Sequence, residues 1–160
     1  MPVHPIPPVF DENSKILILG SFPSVKSREE MFFYGHKQNR FWKVISAVFD
    51  EDEPKTVPEK KSFLLNNGIA LWDVIASCDI EGSADSTIKN VTPNDLSLIL
   101  NTAKIEKIFV NGGTAARFYK RYMEQKTGIS AITLHSTSPA NAAWGVERLT
   151  NYWKNKIKEI

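Results

Sequence analysis

A buried strand, a polar turn and a helix are predicted in that order by residues 15–45, which read KILILGSFPSVKSREEMFFYGHKQNRFWKVI. The apolar run at residues 15–19 is continuous rather than alternating, which is typical of a parallel strand covered on both faces. After the polar turn, Phe41, Ile45 and Val48 recur at helical spacing and predict a helix with one buried face. The stretch therefore indicates the first strand and helix of an α/β domain.

Three further apolar runs extend this pattern. They predict buried strands at residues 69–72, 107–110 and 131–134, separated by segments with helical periodicity. Because strand and helix alternate, we predict a three-layer α/β/α sandwich around a central sheet of about four mainly parallel strands. Residues 1–160 are expected to form a single domain, with the proline-rich residues 1–14 as an extended arm laid over it.

Local signals predict where several helices begin and end. Residues 92–95, Thr-Pro-Asn-Asp, combine a capping threonine, a proline in the first turn and an acidic residue, so they predict a helix start. Apolar stripes at residues 115–123 and 146–157 predict two further helices, and Gly128 is expected to end the first of these regions.

Composition excludes several classes of protein. The 160 residues are 42% hydrophobic and 24% charged, as in a globular domain rather than a disordered chain. No apolar run approaches the roughly 18–20 residues of a membrane span, and no signal-peptide pattern precedes the domain, so a cytoplasmic protein is expected. Cys78 is the single cysteine, so one chain forms neither a disulfide nor a four-cysteine zinc or iron–sulfur site. We therefore expect no metal and no other cofactor.

The charge pattern leaves the partner open. A net charge of +2 is too small to indicate nucleic acid by itself. Residues 26–43 nevertheless hold five lysines and arginines and His36, and such a segment is either a solvated face or a surface that meets phosphate groups.

Polar loops follow three of the four predicted strands, at residues 20–24, 111–114 and 135–139. Ligands of parallel sheets bind at the carboxyl ends of the strands, so these loops locate the predicted site.

Several residues near these loops remain ambiguous by type alone. Phe33 and Tyr34 lie in a polar loop, where aromatic rings either stack on nucleic-acid bases or fill the core. Asn39 lies near a helix start, where asparagine is commonly a cap. Asp73 and Asn111 each follow or end a strand, where they either contact a ligand or stabilise a turn.

Two motifs, in order and spacing, resemble the uracil-DNA glycosylase superfamily. Residues 20–24, Gly-Ser-Phe-Pro-Ser, and residues 34–42, Tyr-Gly-His-Lys-Gln-Asn-Arg-Phe-Trp, are similar to the first motif region of its mismatch-specific uracil/thymine branch. Residues 134–141, Leu-His-Ser-Thr-Ser-Pro-Ala-Asn, are similar to its last motif, a loop that contacts phosphates and wedges the helix. The resemblance thus covers both ends of the chain and implies the same α/β fold.

Phe22 is an informative departure from that branch, whose members carry an Asp or Asn there to place the attacking water. A Gly-Ser-Phe-Pro-Ser turn with a Tyr-Gly-His…Asn-Arg-Phe-Trp segment is similar to the hypoxanthine-DNA glycosylase family, which removes the deaminated adenine base from DNA. This resemblance implies that Asn39 supplies the catalytic amide. The Asn39 carbonyl is expected to orient water while the sugar cation forms.

The resemblance also implies which residues contact the substrate. Base contacts are expected from Ser21, Phe22, Phe33, Tyr34, Asp73 and Asn111. The site is expected to donate to a base carbonyl, with the backbone N–H groups near Ser21 and Phe22 as candidate donors, and to accept from a ring N–H, with Asp73 and Asn111 as the candidates for recognising the base. Contacts with DNA are expected from Ser136, Thr137, Ser138, Pro139, Ala140 and Asn141.

The expected function is a monofunctional, monomeric DNA glycosylase of base-excision repair that flips its target base and hydrolyses deoxyinosine, with deoxyuridine as a further candidate substrate. A uracil- or mismatch-specific glycosylase, a damaged-DNA-binding module without catalysis, and a hydrolase of free nucleosides are the alternatives. Asn39 separates catalysis from mere binding, since an asparagine that only caps a helix affects stability and not chemistry. The sequence indicates no role for His4.

Overall fold

A computed structural model of the chain describes residues 2–158. The terminal residues 1, 159 and 160, which the predicted domain includes, lie outside the described residues. In chain order, the helices and strands are β1 (Ile16–Gly20), α1 (Val25–Glu30), α2 (Phe41–Val48), α3 (Val57–Asn66), β2 (Ile69–Asp73), β3 (Ile75–Asp79), β4 (Lys89–Pro93), α4 (Ser97–Thr102), β5 (Lys107–Asn111), α5 (Gly113–Tyr122), α6 (Glu124–Thr127), β6 (Ala131–Leu134) and α7 (Val146–Lys158).

Four parallel strands form the central sheet in the order β2-β1-β5-β6. The strand β1 pairs with β2 on one side and with β5 on the other, and β5 also pairs with β6. Every residue of β1 is buried, because helices cover the sheet on both faces. The predicted α/β class and the mainly parallel four-stranded sheet are therefore confirmed.

The side chains of β1 alternate between two hydrophobic clusters. Ile16 and Ile18 pack on the face covered by α2, α3 and α7, where Trp153 is fully buried. Leu17 and Leu19 pack on the opposite face, against α4 and α5. This alternation produces the three layers and holds the carboxyl end of β1 rigidly between them.

A second, antiparallel sheet of β3 and β4 was not predicted, and it corrects the predicted helix start at residues 92–95. Thr92 and Pro93 pair with Ser77 and Ile75 of β3, and α4 begins only at Ser97. The local helix signal was wrong because antiparallel pairing with β3 outweighs a capping preference.

Residues 2–10 run across β2 and β3 in extended conformation, whereas residues 11–14 form a turn that leads into β1, so the predicted extended arm is shorter than expected. Val3 forms an antiparallel bridge with Ser77, and Val9 forms another with Leu71. The indole N–H of Trp72 also donates to the backbone carbonyl of Ile6 at 3.1 Å. These contacts bring the beginning of the chain close to the carboxyl end of β2. No helix within residues 2–158 is long and apolar enough to cross a membrane.

Candidate active site

A cavity of about 510 Å³ opens at the carboxyl ends of the parallel strands, where the sequence predicts the site. All but two of the predicted site residues line it: Ser21, Phe22, Tyr34, Asn39, Asp73, Asn111, Ser136, Thr137, Ser138, Pro139 and Ala140. Phe33 and Asn141 do not. The Asn141 side chain instead donates from Nδ2 to the Ser136 carbonyl at 3.0 Å, so it stabilises the loop from within.

Phe33 and Tyr34 are neighbours in sequence with different surroundings. Phe33 is buried in the core with its ring 5.4 Å from that of Phe32, and its carbonyl accepts the Trp42 indole N–H. The expectation that Phe33 contacts a base is corrected by this position, because its ring fills the core. Tyr34 lines the cavity and stacks on Phe41 with ring centroids 4.1 Å apart.

The backbone of Tyr34 is strained. Its φ of 54° lies in the left-handed region, which costs a non-glycine residue roughly 1–2 kcal/mol. Burial, and next the charge of Asp73, raise the pKa of the phenol far above its usual value, so the hydroxyl stays protonated. Strain of this kind persists where the surrounding structure fixes a functional geometry.

Asn39, Asn111 and Thr137 form a hydrogen-bonded network in the wall of the cavity. Asn39 Oδ1 accepts from the Phe41 backbone N–H at 3.0 Å and from the Thr137 hydroxyl at 2.9 Å. Thr137 Oγ1 accepts in turn from Asn111 Nδ2 at 3.0 Å, and the Thr137 backbone N–H donates to Asn111 Oδ1 at 3.2 Å. Both lone pairs of the Asn39 carbonyl are thus occupied. Its amide N–H groups donate to no other residue among residues 2–158.

Arg40 joins the first motif to the last. Its guanidinium donates to the carbonyls of Thr137, Ser138, Asn141 and Trp144. The backbone N–H of Arg40 also donates to the Thr137 carbonyl at 3.1 Å. Arg40 therefore fixes the loop that follows β6 next to Asn39.

Asp73, the last residue of β2, lies at the base of the cavity and is buried. Its Oδ2 lies 2.7 Å from His4 Nε2. A methyl group on Gly20 would overlap Asp73 Oδ1 and come within 2.9 Å of the Tyr34 hydroxyl oxygen. Only glycine at position 20 therefore lets this carboxylate and this phenol approach the turn that ends β1.

A second carboxylate reaches the cavity from the connection between β3 and β4. Ser21 Oγ donates to Asp85 Oδ1 at 3.3 Å and Oδ2 at 3.2 Å. Burial raises the pKa of Asp85, and the hydrogen bond from Ser21 opposes that shift.

Sequence reasoning missed both Asp85 and His4. Asp85 lies in a polar segment without helix or strand periodicity, and His4 lies in the proline-rich arm. Each contacts a predicted site residue from far along the chain, 64 positions away for Asp85 and 69 for His4. The only local signal was residue type, a carboxylate and an imidazole in otherwise irregular segments.

The residues described show no metal site. Within residues 2–158, no three or more histidine, cysteine, aspartate or glutamate side chains are grouped in a way that could hold an ion.

Comparisons with known proteins identify the family of the chain. The family model of the Uracil DNA glycosylase superfamily matches residues 7–157. A hypoxanthine DNA glycosylase of Methanosarcina barkeri is 34% identical over 136 residues, which are 84% of this chain and 85% of that protein. A hypoxanthine DNA glycosylase of Methanosarcina acetivorans is 35% identical over 144 residues, which are 89% of this chain and 90% of that protein.

A solved structure shows the same fold. It is a solution NMR structure from Methanosarcina acetivorans, provisionally described as a uracil DNA glycosylase, with 34% identity and a TM-score of 0.78. The alignment covers 92% of this chain and 91% of that one. The resemblance inferred from the two motifs is thereby confirmed. The chain therefore belongs to the uracil DNA glycosylase superfamily and, with it, to the DNA glycosylases.

Proposed function

We propose that this chain hydrolyses the N-glycosidic bond of deoxyinosine in DNA, releasing hypoxanthine and leaving an abasic site. The observation that carries the proposal is the Asp73 carboxylate at the base of the cavity, with Oδ2 bonded to His4 and Oδ1 beside Gly20 and Tyr34. The relatives from the two Methanosarcina species, both named hypoxanthine DNA glycosylases, support the same substrate.

The hydrogen-bonding pattern of hypoxanthine explains why Asp73 is proposed as the residue that recognises the base. Hypoxanthine presents a ring N–H beside a carbonyl, and an ionised carboxylate, which only accepts, pairs with that N–H. Adenine presents a bare ring nitrogen at the same position, so both lone pairs would face each other without a proton. Buried polar groups left unpaired in this way cost about 1–3 kcal/mol each. Uracil shares the N–H and carbonyl of hypoxanthine and is a second candidate substrate.

Asn111 has a different proposed role, because its donors are already used. Asn111 Nδ2 donates to the Tyr34 hydroxyl at 3.3 Å and to Thr137 Oγ1 at 3.0 Å. We assign Asn111 to holding the cavity wall and Asp73 to recognising the base. Donors to the base carbonyl are then the backbone N–H groups of Ser21 and Phe22, neither of which donates to another residue within residues 2–158.

Asn39 acts on water in this proposal, through its nitrogen rather than its carbonyl. Its Oδ1 is held by Phe41 and Thr137, so an Nδ2–H donates to the water oxygen and keeps the water beside the sugar. Glycosidic cleavage passes through an oxocarbenium-like sugar, which needs a placed water more than a strong base. The Asp85 carboxylate stabilises the positive sugar and accepts the proton that the water loses, while the base departs with the electron pair of the broken bond and takes up a proton from solvent to become hypoxanthine.

Water is the proposed nucleophile because no lysine is among the residues lining the cavity in the described part of the chain. An amine nucleophile would otherwise form a Schiff base with the sugar. The reaction therefore ends at the abasic site, as expected of a monofunctional glycosylase.

The loop after β6 is the proposed contact with the DNA backbone. The hydroxyl oxygens of Ser136 and Ser138 accept from the backbone N–H groups of Ser138 and Ala140, at 3.0 and 3.1 Å. Their own protons remain free to be donated to phosphate oxygens.

The target base lies outside the stack when it occupies a cavity of this depth, so the substrate is flipped. A single chain provides every group named, and we propose that it acts as a monomer.

The proposal is tested with oligonucleotides that are identical except for one inosine, uracil, xanthine or adenine. Enzyme in excess and a chelator are used, and alkali reveals abasic sites. Release at inosine and none at adenine is expected. Release at uracil alone would retain the family and overturn the substrate, and binding without release at any base would overturn catalysis.

A further inference from the structure

His4, in the arm at the beginning of the chain, is buried against Asp73. The His4 and Asp73 side chains are 2% and 5% exposed, and Nε2 lies 2.7 Å from Oδ2. No other side chain among the described residues bonds to this carboxylate. From this contact we infer that His4 is a positioning residue for base specificity, which fixes Asp73 as the acceptor of the base N–H. The inference rests on the function proposed above.

The direction of the hydrogen bond follows from the second nitrogen of the ring. The backbone N–H of Ile6 donates to His4 Nδ1 at 3.2 Å, so Nδ1 carries no proton. The ring proton of a neutral imidazole is then on Nε2, and it is donated to Asp73 Oδ2. Because Oδ2 is bonded to the imidazole, Oδ1, on the Gly20 side, is the oxygen left to accept from a ligand.

Packing keeps the imidazole in place. Its ring meets Phe22 and Trp72 nearly edge to face, at centroid distances of 6.0 and 6.2 Å, and Phe33 lies 6.2 Å away. The backbone N–H of His4 donates to the Ala76 carbonyl at 2.6 Å. Both the ring and the backbone are thus fixed, so the carboxylate has one preferred orientation.

Phe22 acquires a role from this packing. It stands where the mismatch-specific branch carries Asp or Asn. Here its ring is one of the three aromatic rings that pack around the His4 imidazole. The side chain that would hold water in the branch is thereby replaced by one that holds a specificity residue.

The test compares His4→Leu, His4→Gln and Asp73→Asn in the full chain. Leucine removes the donor, whereas glutamine places an amide N–H near the position of Nε2. We expect His4→Leu to lower kcat/KM at inosine by about tenfold or more and to narrow its preference for inosine over adenine, because a loosened carboxylate no longer excludes the bare nitrogen. We expect His4→Gln to restore most of both.

Three further measurements separate positioning from folding. Affinity for DNA that carries a tetrahydrofuran abasic analogue should be unchanged in His4→Leu, since no base is present to be recognised. Adding His4→Leu to Asp73→Asn should have no further effect on base preference, because the two residues act as a unit. Val3→Ala, which removes an exposed side chain of the same arm, should behave as wild type.

The outcomes also separate this inference from the proposed function. If wild type releases hypoxanthine and Asp73→Asn loses the preference for inosine, an unchanged preference in His4→Leu overturns the inference alone. Equal losses in His4→Leu and His4→Gln also overturn it, because they indicate arm packing rather than a donated hydrogen bond. If wild type releases no hypoxanthine, the proposed function fails and the inference with it.

Discussion

The Thr137 hydroxyl donates to Asn39 Oδ1 at 2.9 Å, joining residues 98 positions apart in the chain. Thr137 is fully buried and comes from the loop after β6, whereas Asn39 precedes α2. The bond fixes which end of the Asn39 amide meets the protein, so the nitrogen is the end left for the substrate or water. The catalytic geometry proposed for Asn39 thus depends on a residue from a distant part of the chain.

Replacing Thr137 tests this dependence. Thr137→Val keeps the shape and removes the bond, so we expect the single-turnover rate to fall about tenfold, equivalent to ~1.4 kcal/mol of barrier. Thr150→Val is the matched control, because Thr150 Oγ1 is buried without a hydrogen-bond partner within residues 2–158. Its removal should leave both rate and stability unchanged or improved. Equal rates in Thr137→Val and wild type would contradict the dependence.

Gly20→Ala should disrupt the base of the cavity. The added methyl would overlap Asp73 Oδ1 and come within 2.9 Å of the Tyr34 hydroxyl oxygen, so the carboxylate must move away from the base. We expect kcat/KM at inosine to fall at least about tenfold. In Gly113→Ala the methyl meets nothing within 4 Å, so this control should retain activity and, if anything, stabilise α5. A fully active Gly20→Ala enzyme would rule out Asp73 as the base contact.

Asp85→Asn should raise the free energy of unfolding and lower the rate of hypoxanthine release. Burial raises the pKa of Asp85 above its usual 3.8, so the folded protein binds this proton more tightly than the unfolded chain. The cost of the buried charge is absent below pH 3.8, grows as the pH rises through the folded pKa, and is complete above it. Asp85→Asn should therefore raise the free energy of unfolding at pH 7, with a gain that disappears near pH 4.

The same variant should release hypoxanthine more slowly, since an amide neither stabilises the sugar cation nor accepts a proton. Urea unfolding between pH 4 and 8, together with single-turnover rates, measures both effects. A wild-type rate in Asp85→Asn would remove Asp85 from the mechanism, whatever its effect on stability.

Arg40→Met should loosen the loop after β6. The guanidinium donates to four loop carbonyls, and loss of these bonds is expected to lower the free energy of unfolding by about 2–4 kcal/mol. Lys37→Met is the control, since the exposed Lys37 makes no hydrogen bond or ion pair within the described residues. It should change stability by less than about 0.5 kcal/mol. The reverse order in urea denaturation would show that Arg40 does not hold the loop.

The central sheet could be predicted because its determinants are local. Four short, continuous apolar runs each correspond to a strand, and polar loops at their carboxyl ends correspond to the cavity wall. Asn39 and the loop after β6 could also be predicted, because each belongs to a motif that is contiguous in sequence.

The remaining features depend on contacts that no local pattern contains. Thr92 and Pro93 carry a helix signal but pair with β3. Phe33 and Tyr34 look equivalent, yet the positive φ of Tyr34 sends one ring to the cavity and leaves the other in the core. His4 lies in a segment with no periodicity, and only its burial against Asp73 reveals a role.

The most direct test of the proposed catalysis is hypoxanthine release from a single-inosine oligonucleotide by wild type and Asn39→Ala, with enzyme in excess. Binding of the same DNA and the free energy of unfolding are measured alongside. We expect wild type to release the base, and Asn39→Ala to bind the DNA with similar affinity while its single-turnover rate falls tenfold or more. A variant that loses about 1 kcal/mol of stability but keeps the wild-type rate would contradict the account, because Asn39 would then only cap α2.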